Sequence, residues 1–178
     1  MKSVKELQNN TYENLKKEFG YTNPMQSPRL VKVIISAGIG SLKDKKKIEL
    51  IKDRLTKIAG QKPAVRAAKK SIASFKSREG DPVGLQVTLR GMRMFGFLDK
   101  LINVALPRTK DFRGISKSSV DDMGNITIGL REHTIFPETS DEELRDVFGF
   151  AVTITTGAKS KAEATSFLTA IGIPFSKK

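Results

Sequence analysis

Three short segments of the chain alternate strictly between apolar and polar side chains, and this alternation constrains the fold more than any other feature. They are LQVTLR (85–90), NITIGLR (125–131) and FAVTITT (150–156). Successive side chains of a strand point to opposite faces, so a period of two predicts strands with one apolar and one polar face. The apolar face has to be covered by other elements, whereas the polar face remains free for water or a ligand.

The first half of the chain reads as helix, strand, helix and strand. A helix over 3–18, with a capping box from Ser3 and Glu6, leads into an extended connector that reaches residue 28. LVKVIIS predicts a strand that runs into the glycine turn AGIG, and the apolar spacing after it predicts a helix that ends at Gly60. PAVRAA predicts a second, short strand.

The second half adds helices between and after the alternating strands. A helix over 92–105 is predicted to stop at Pro107. Its inward stripe is predicted to consist of Phe95, Leu98, Ile102 and Ala105. The last helix is predicted to begin at Ser160, with Glu163 completing a capping box. Together these patterns predict one α+β domain over residues 1–178, with an N-terminal helical extension.

The charge of the chain points to a polyanionic partner. The formal net charge is +13 and the isoelectric point is about 10.0. Residues 41–80 hold thirteen cationic and four acidic side chains. Residues 119–150, in contrast, hold two cationic and eight acidic side chains. Such polarity predicts contact with nucleic acid or with an acidic membrane surface. The membrane is the weaker candidate because the basic segment contains glycine and proline and lacks the pattern of a membrane-binding amphipathic helix.

A run of uncompensated positive charge lies in QKPAVRAAKKSIASFKSR, residues 61–78, which contain no carboxylate. The cations of this segment are Lys62, Arg66, Lys69, Lys70, Lys76 and Arg78. Its second half belongs to a predicted long loop over 70–84, rich in serine, glycine and proline. The polar side of the strands is predicted to carry Gln86, Thr88, Arg90, Thr127, Arg131, Thr153 and Thr155. A polar face that is merely solvated is the alternative, but the adjacent basic segment favours a ligand.

Catalytic and metal-binding interpretations find little support. The chain has no cysteine, which excludes disulfides and thiolate ligands, and His133 is its only histidine. AGIGSLKDKKK suggests a phosphate-binding loop but lacks the spacing of the nucleotide-binding fingerprints, so turn geometry is favoured. The adjacent carboxylates of Asp121–Asp122 and Glu142–Glu143 point apart in an extended chain. We therefore expect no catalysis, no metal site and no cofactor.

Several long segments resemble one known family. Residues 59–115, AGQKPAVRAAKKSIASFKSREGDPVGLQVTLRGMRMFGFLDKLINVALPRTKDFRGI, are similar to the signature region of the large-subunit ribosomal protein L five family, which carries 5S ribosomal RNA. The similarity continues through NITIGLREHTIFPE, FAVTITTGAKSKAEA and LTAIGIPF. The resemblance implies a curved antiparallel sheet that is backed by helices on one face and binds RNA on the other.

The resemblance, together with the basic segment, implies three sets of contact residues. The ribosomal RNA set consists of Ser36, Gly38, Gln61, Lys62, Arg66, Thr88, Arg90 and Arg93. Ser36 stands where the family usually has asparagine, so this contact departs from the family pattern. The loop set, which the family projects towards peptidyl-site tRNA, consists of Lys70, Phe75, Lys76 and Arg78. The set at the bridge to the small subunit consists of Arg108, Arg113, Glu142, Glu143 and Asp146.

The resemblance also implies a function and partners. The chain is expected to be a non-enzymatic component of the large ribosomal subunit that seats 5S ribosomal RNA in the central protuberance. Its expected partners are 5S ribosomal RNA, large-subunit ribosomal RNA, peptidyl-site tRNA, a small-subunit head protein and neighbouring large-subunit proteins. The sequence shows no signal peptide and no membrane span, so a cytoplasmic, ribosome-bound location is expected. A freestanding RNA-binding module and an enzyme for phosphate-bearing substrates are the alternatives.

Overall fold

The fold combines a five-stranded antiparallel sheet with helices, so the predicted α+β class is confirmed. A computed structural model describes residues 3–42, 44–110, 112–140 and 147–176. The strands are β1 (Leu30–Gly38), β2 (Ala64–Ala67), β3 (Pro82–Leu89), β4 (Ile126–Leu130) and β5 (Phe150–Thr156), in the spatial order β2-β3-β1-β5-β4. The helices are α1 (Val4–Asn9), α2 (Thr11–Phe19), α3 (Lys45–Ala59), α4 (Gly91–Lys100), α5 (Leu106–Arg108) and α6 (Lys161–Ala170). Within these described ranges, no helix is long and apolar enough to span a lipid bilayer.

The alternation in the sequence decides which side of each strand is buried. The buried members are Leu85, Val87 and Leu89 in β3, Ile126, Ile128 and Leu130 in β4, and Phe150, Val152 and Ile154 in β5. The residues between them are half-buried or exposed. β1 follows the same pattern over its second half, where Ile35 and Ala37 are buried and Ser36 is half-buried. The predicted apolar sides of the strands are therefore confirmed.

Contacts within the chain divide it into two compact units, each assembled from several segments. Unit 1 comprises Met1–Val33, Leu89–Ile128 and Thr153–Lys178. Unit 2 comprises Ile34–Thr88 and Gly129–Val152. The division falls within β1, β3, β4 and β5, so each of these strands contributes residues to both units.

In unit 1, the predicted N-terminal helix is two helices, which meet at Asn10. The predicted capping box is present, because Ser3 Oγ accepts the Glu6 N–H at 3.3 Å and the Glu6 carboxylate accepts the Ser3 N–H at 3.2 Å. The break falls in the sequence NNT, whose short polar side chains compete with helical backbone hydrogen bonds. The buried side chains of these helices are Val4, Thr11 and Leu15, and Leu7 is half-buried.

Half of the predicted inward stripe of the helix after β3 is confirmed, since Leu98 and Ala105 are buried, and half is wrong. Its buried residues are Met94, Phe97, Leu98, Leu101 and Ala105. Phe95 and Ile102, which the sequence pattern predicts to face inward, are only half-buried. The reason is that MRMFGFL carries apolar side chains on two adjacent stripes, so their spacing alone does not select one.

Pro107 does not end this helix as predicted. Leu101–Ala105 forms a π-helical turn, in which the Leu106 N–H donates to the Leu101 carbonyl. α5 then continues through Pro107 to Arg108. Proline is tolerated in the first turn of a helical segment because its missing N–H needs no partner there.

Glu163 at the start of α6 makes a different contact from the predicted capping box. Ser160 caps the helix as expected, since its Oγ accepts the Glu163 N–H at 3.3 Å. The buried Glu163 carboxylate instead accepts the Lys159 N–H at 2.7 Å and the hydroxyl hydrogen of Tyr21. Because Tyr21 follows the end of α2, this pair joins α2 to the start of α6. The core of α6 is as predicted, with Phe167, Leu168 and Ile171 buried.

In unit 2, α3 ends at Gly60 as the sequence predicts, and Asp44 caps its start. Asp44 Oδ1 accepts the Lys46 N–H at 2.9 Å, and Gly60 closes the helix with a φ of +64°. The buried side chains of this unit include Ile35, Ala37, Ile51, Leu55, Ile58, Leu85, Val87, Phe136 and Val152. This core fixes the register of the strands and so determines which of their side chains face outward.

We expect the Tyr21–Glu163 contact to control how the protein responds to alkali. Burial, and then the Glu163 carboxylate, raise the pKa of Tyr21 above its ordinary value of 10.0. A raised pKa in the folded state means that the contact contributes fully below the pKa of unfolded tyrosine and is lost as the pH rises through the folded pKa. In the Tyr12→Phe variant, tyrosinate absorbance should therefore rise only together with unfolding, as followed by circular dichroism.

A second variant separates the effect of the Glu163 carboxylate on the pKa of Tyr21 from the effect of burial. Adding Glu163→Gln to Tyr12→Phe removes the negative charge, so Tyr21 should ionise at a lower pH than with Glu163 present. An ionisation midpoint that does not move would contradict the assigned contact.

Candidate nucleic-acid interface

Strand β2 and the start of β3 form an antiparallel hairpin at one edge of the sheet. The paired residues are Ala64↔Gln86, Val65↔Leu85, Arg66↔Gly84 and Ala67↔Pro82, with a register shift between Arg66 and Ala67. All four residues of β2 are exposed. An edge strand with no buried side does not alternate in sequence, and it offers all its side chains to a partner.

The hairpin continues beyond the paired strands, so residues 70–84 are not the open loop that the sequence predicts. The Ala68 N–H donates to the Asp81 carbonyl at 2.8 Å. Further out, Ile72 and Ser77 exchange backbone hydrogen bonds of 3.0 and 3.3 Å. The last three residues of the predicted loop belong to β3. Residues 64–86 therefore form a hydrogen-bonded arm, which we call the hairpin arm.

The tip of the hairpin arm, residues 72–77, exposes apolar and cationic side chains together. Ile72 is 46% exposed and Phe75 is 79% exposed. Lys76 follows the single 3₁₀ turn Ala73–Phe75 and has a φ of +51°, in the left-handed region. An exposed ring beside an ammonium group is suited to stacking on a base and to contact with phosphate.

The six cations of residues 61–78 are all exposed or half-buried at the surface. In the described part of the chain, none of them forms an ion pair with a carboxylate. Arg66 instead donates from Nε to Gln86 Oε1 at 2.5 Å, across the hairpin. Like charges without counter-charges repel one another, so this surface is electrostatically poised for a polyanion.

Six of the eight residues in the predicted ribosomal RNA set belong to unit 2, and none of the six is buried. Ser36 and Thr88 are half-buried on the polar sides of β1 and β3. Gly38 is exposed, and no atom lies within 4 Å of the place where its Cβ would be. Gln61 is half-buried and Lys62 is exposed, and both lie in the short connection between α3 and β2. The sixth residue is Arg66, in the hairpin arm.

Arg90 and Arg93 complete the set in unit 1. Arg90 is exposed at the residue that precedes α4, and Arg93 is exposed in the first turn of that helix. In the same unit, the hydroxyls of Thr127 and Thr153 lie 3.0 Å apart on the polar sides of β4 and β5. The side chains predicted to face outward therefore do so within each unit.

The predicted subunit-bridge set is only partly described. Arg108 is exposed at the end of α5, and Arg113 is exposed shortly after it. Glu142, Glu143 and Asp146 lie outside the described residues.

The residues that suggest catalysis or metal binding have structural roles. His133 is completely buried, its ring stacks on Phe148 at 4.3 Å between centroids, and its Nδ1 accepts the Phe148 N–H at 3.4 Å. Over the ranges that the structure describes, no three metal-ligating side chains come together. After the AGIG turn, the Asp44 carboxylate occupies the start of α3, where it would repel a phosphate.

Asp121 lies in the turn before β4, where its backbone N–H donates to the Asn125 carbonyl at 2.8 Å. It accepts the Asn125 backbone N–H at 2.6 Å and the Asn125 side-chain amide at 3.0 Å. These hydrogen bonds from Asn125 lower the pKa of Asp121 below its ordinary value. The contacts hold the turn that leads into β4.

Sequence reasoning missed the exposed apolar side chains of the hairpin arm. Val65 and Ile72 lie among the cations and are 50% and 46% exposed. The Arg66–Gln86 hydrogen bond was also missed, because it depends on the register of β2 against β3. The only available signal was the absence of alternation in PAVRAA, which is typical of an edge strand.

Two family models match successive parts of the chain. The model described as "Ribosomal protein L5" matches residues 23–78, and a second model, which describes the C-terminus of the same ribosomal protein family, matches residues 82–175. The chain belongs to the ribosomal protein L5 family. The resemblance found in the sequence is therefore confirmed. The non-enzymatic prediction is confirmed as well, since this family consists of ribosomal proteins.

Individual relatives are similar to the chain over nearly its whole length. The large ribosomal subunit protein uL5 of Desulfatibacillum aliphaticivorans is 50% identical over 169 residues, which are 94% of each chain. The protein of the same name from Ureaplasma urealyticum is 48% identical over 179 residues, 99% of this chain and 97% of the relative. That from Cupriavidus metallidurans is 51% identical over 162 residues, 90% of each chain.

We expect the charge of the hairpin arm to make RNA binding strongly salt-dependent. Each cation–phosphate contact contributes roughly 0.7–0.9 to the slope of log affinity against log salt. The double variant Lys69→Gln/Lys70→Gln should therefore reduce the slope for an RNA duplex by up to about 1.5, as measured by filter binding. The matched control is Lys45→Gln/Lys46→Gln, which removes the same charge from exposed positions at the start of α3. Equal reductions in both variants would mean that the arm holds no preferred phosphate contacts.

Proposed function

We propose that this protein is an RNA-binding component of the large ribosomal subunit and that it holds 5S ribosomal RNA. The observation that carries the proposal is the hairpin arm, whose surface cations have no carboxylate partner in the described part of the chain. The names of its relatives, which are large ribosomal subunit proteins, support the same assignment. In this setting the polyanion that the arm needs is ribosomal RNA, and the protein acts as part of the ribosome in the cytoplasm.

Two physical contributions combine in the proposed binding. The cations neutralise phosphates and release counterions, which gives affinity for any RNA. Polar side chains at fixed positions provide discrimination, because they donate to 2′-hydroxyls and base edges. In unit 2, Thr88 is held outward by the burial of its neighbour Val87, and in unit 1 Arg90 follows the buried Leu89. The backbone positions of these residues are fixed before RNA arrives, which reduces the entropy lost on binding.

We also propose that the tip of the hairpin arm contacts tRNA in the peptidyl site. The tip combines an exposed Phe75 ring with Lys76, and Arg78 lies next to it. The backbone hydrogen bonds between Ile72 and Ser77 give the tip a defined shape. A defined, cationic and partly apolar tip suits a structured RNA better than a flexible loop does.

A third contact is proposed with a protein of the small-subunit head. Arg108 and Arg113 are exposed in unit 1, and Glu142, Glu143 and Asp146 follow in the acidic stretch of the sequence. Charged side chains select a partner by complementary charge and by repulsion of unsuited partners. Large-subunit ribosomal RNA and neighbouring large-subunit proteins are the remaining proposed partners.

The proposed 5S contact predicts that two single substitutions act on specificity. Arg90→Ala and Gln61→Ala should each weaken binding to 5S ribosomal RNA by about tenfold or more, since a hydrogen bond to a charged group contributes roughly 1.5–3 kcal/mol. Binding to an unrelated RNA duplex should fall much less. Filter binding on both RNAs measures the difference.

Arg90→Lys is the matched control, because it keeps the charge and removes the planar guanidinium. If it restores full 5S affinity, bulk charge and not a positioned contact is responsible. Recovery of the protein from lysate then tests the ribosomal assignment itself. Co-sedimentation with large subunits together with 5S ribosomal RNA is expected, whereas RNA binding without co-sedimentation would favour a freestanding module.

We expect substitutions at the tip of the hairpin arm to weaken tRNA binding without weakening 5S ribosomal RNA binding. Lys76→Gly removes the charge, and glycine adopts the left-handed backbone of this position without strain. Combined with Arg78→Ala, it should leave the affinity for 5S ribosomal RNA within about twofold and lower the affinity of peptidyl-site tRNA for reconstituted ribosomes. A large loss of 5S binding in this variant would show that the tip belongs to the 5S contact.

A further inference from the structure

A polar cavity lies in unit 1, between the N-terminal helices and the connector that precedes β1. Its volume is about 310 Å³. Its polar lining consists of Gln8, Asn9, Tyr12, Ser27 and Arg29. Ligand pockets generally measure ~300–1,000 Å³, so this cavity suits one small planar group. None of its residues belongs to the three contact sets described above.

The walls of the cavity are held by hydrogen bonds within the protein. Gln26 Oε1 accepts the Thr22 N–H at 2.9 Å, and Asn23 Oδ1 accepts the Met25 N–H at 2.9 Å, which fixes the connector. The Leu30 N–H donates to Gln8 Oε1 at 3.0 Å and so ties α1 to the start of β1. The connector also contains two prolines, whose φ is fixed. The cavity is therefore preorganised for a ligand.

The polar groups at the cavity are mainly donors. Because Gln8 Oε1 already accepts from Leu30, the side-chain NH₂ of Gln8 is the group that remains for a ligand. Arg29 has five N–H donors, and its Nη2 lies 2.8 Å from the sulfur of Met25, which is a weak acceptor. In the described ranges, Arg29 pairs with no carboxylate. A ligand that fits must carry acceptor atoms.

An aromatic ring and a second cation complete the cavity. Tyr12 is one of the lining residues and is half-buried. The Nζ of the exposed Lys16 lies 5.5 Å from the centroid of the Tyr12 ring and adds a second positive charge near that ring. An aromatic surface, directed donors and two cations together match a nucleobase that is attached to phosphates.

We propose that this cavity, which we call the Tyr12 pocket, binds one unstacked base of single-stranded RNA. The base stacks on Tyr12, and a carbonyl oxygen of the base accepts hydrogen bonds from the Gln8 NH₂ and from Arg29. Uracil and guanine present such a carbonyl oxygen, whereas adenine presents none. The flanking phosphates lie near Arg29 and Lys16. The pocket is a separate site from the proposed 5S contacts and adds preference for a type of base.

The full-length chain allows a direct optical test. It contains two tyrosines and no tryptophan, so in the Tyr21→Phe variant Tyr12 is the only tyrosine that fluoresces. The probe is tetrauridylate, a single-stranded RNA without the folded structure of 5S ribosomal RNA. We expect saturable quenching of Tyr12 fluorescence and a shift of the Gln8 side-chain amide signals in the NMR spectrum. Tetraadenylate should bind several times more weakly.

Substitutions in the otherwise unchanged chain resolve the individual contacts, with affinity read from the anisotropy of labelled tetrauridylate. Tyr12→Ala should weaken binding by about 5- to 150-fold, the range that base–aromatic stacking supplies, while Tyr12→Phe should retain it. Gln8→Glu keeps an oxygen that can accept from Leu30 but loses the NH₂ group, so it should also weaken binding. Arg29→Ala should weaken binding more than Lys17→Ala, an exposed control on α2 that removes the same charge.

Three results would overturn the proposal. They are unchanged affinity in Tyr12→Ala, equal losses in Arg29→Ala and Lys17→Ala, and tighter binding of tetraadenylate than of tetrauridylate. Circular dichroism of each variant, with Tyr12→Phe as the reference, shows whether the fold is intact. Because 5S binding is measured separately on Arg90 and Gln61, failure of the Tyr12 pocket and failure of the proposed function give different results.

Discussion

Burial of one side of β1, β3, β4 and β5 is the constraint on which the rest of the structure depends. Side chains such as Val87, Leu89, Val152 and Ile154 are at most 1% exposed, and each such side chain contributes roughly 1.5–3 kcal/mol by leaving water. A slip of the register by one residue would exchange the two sides of a strand and lose this contribution. The polar positions between them are therefore fixed as a consequence of the core. Thr88 faces outward because its neighbours Val87 and Leu89 are buried on the opposite side of the strand.

The hairpin arm depends on a different interaction. Its β2 strand has no buried side, so backbone hydrogen bonds such as Ala68–Asp81 and Ile72–Ser77 hold it together. Segments with few buried apolar contacts lie at the low end of local stability. Exposed cations on an edge strand also discourage pairing with the edge of another chain. The cations of the arm repel one another, which lowers its stability. They also keep its edge free for RNA, whose phosphates would neutralise the cations and relieve the repulsion.

The strands and their buried sides could be predicted from the sequence because period-two alternation is a direct consequence of having one buried side. PAVRAA was predicted as a strand and forms β2, but its pairing in the arm could not be predicted, because these residues have no buried side and the pairing of Arg66 with Gly84 is set by tertiary contacts. The stripe of α4 was misplaced for a related reason, since Met94 and Phe95 are both apolar and only packing selects between them. Glu163 was expected to cap α6 locally, but the long-range partner Tyr21 competes for its carboxylate. At the site, residue type and exposure were predictable for Arg90 and Lys62, whereas the Arg66–Gln86 hydrogen bond was not.

The two proposed kinds of RNA contact differ in how strongly their affinity depends on salt concentration. Contacts of the hairpin arm come from unpaired cations on an exposed strand, so their strength falls steeply as salt displaces the phosphate interaction. Besides its cations Arg29 and Lys16, the Tyr12 pocket would use an aromatic ring and donors such as the Gln8 amide, whose oxygen accepts from the Leu30 N–H. Stacking and hydrogen bonds between neutral groups change little with ionic strength. A protein with both kinds of contact is drawn to RNA by charge over a long range and then held by groups that require one particular arrangement of bases.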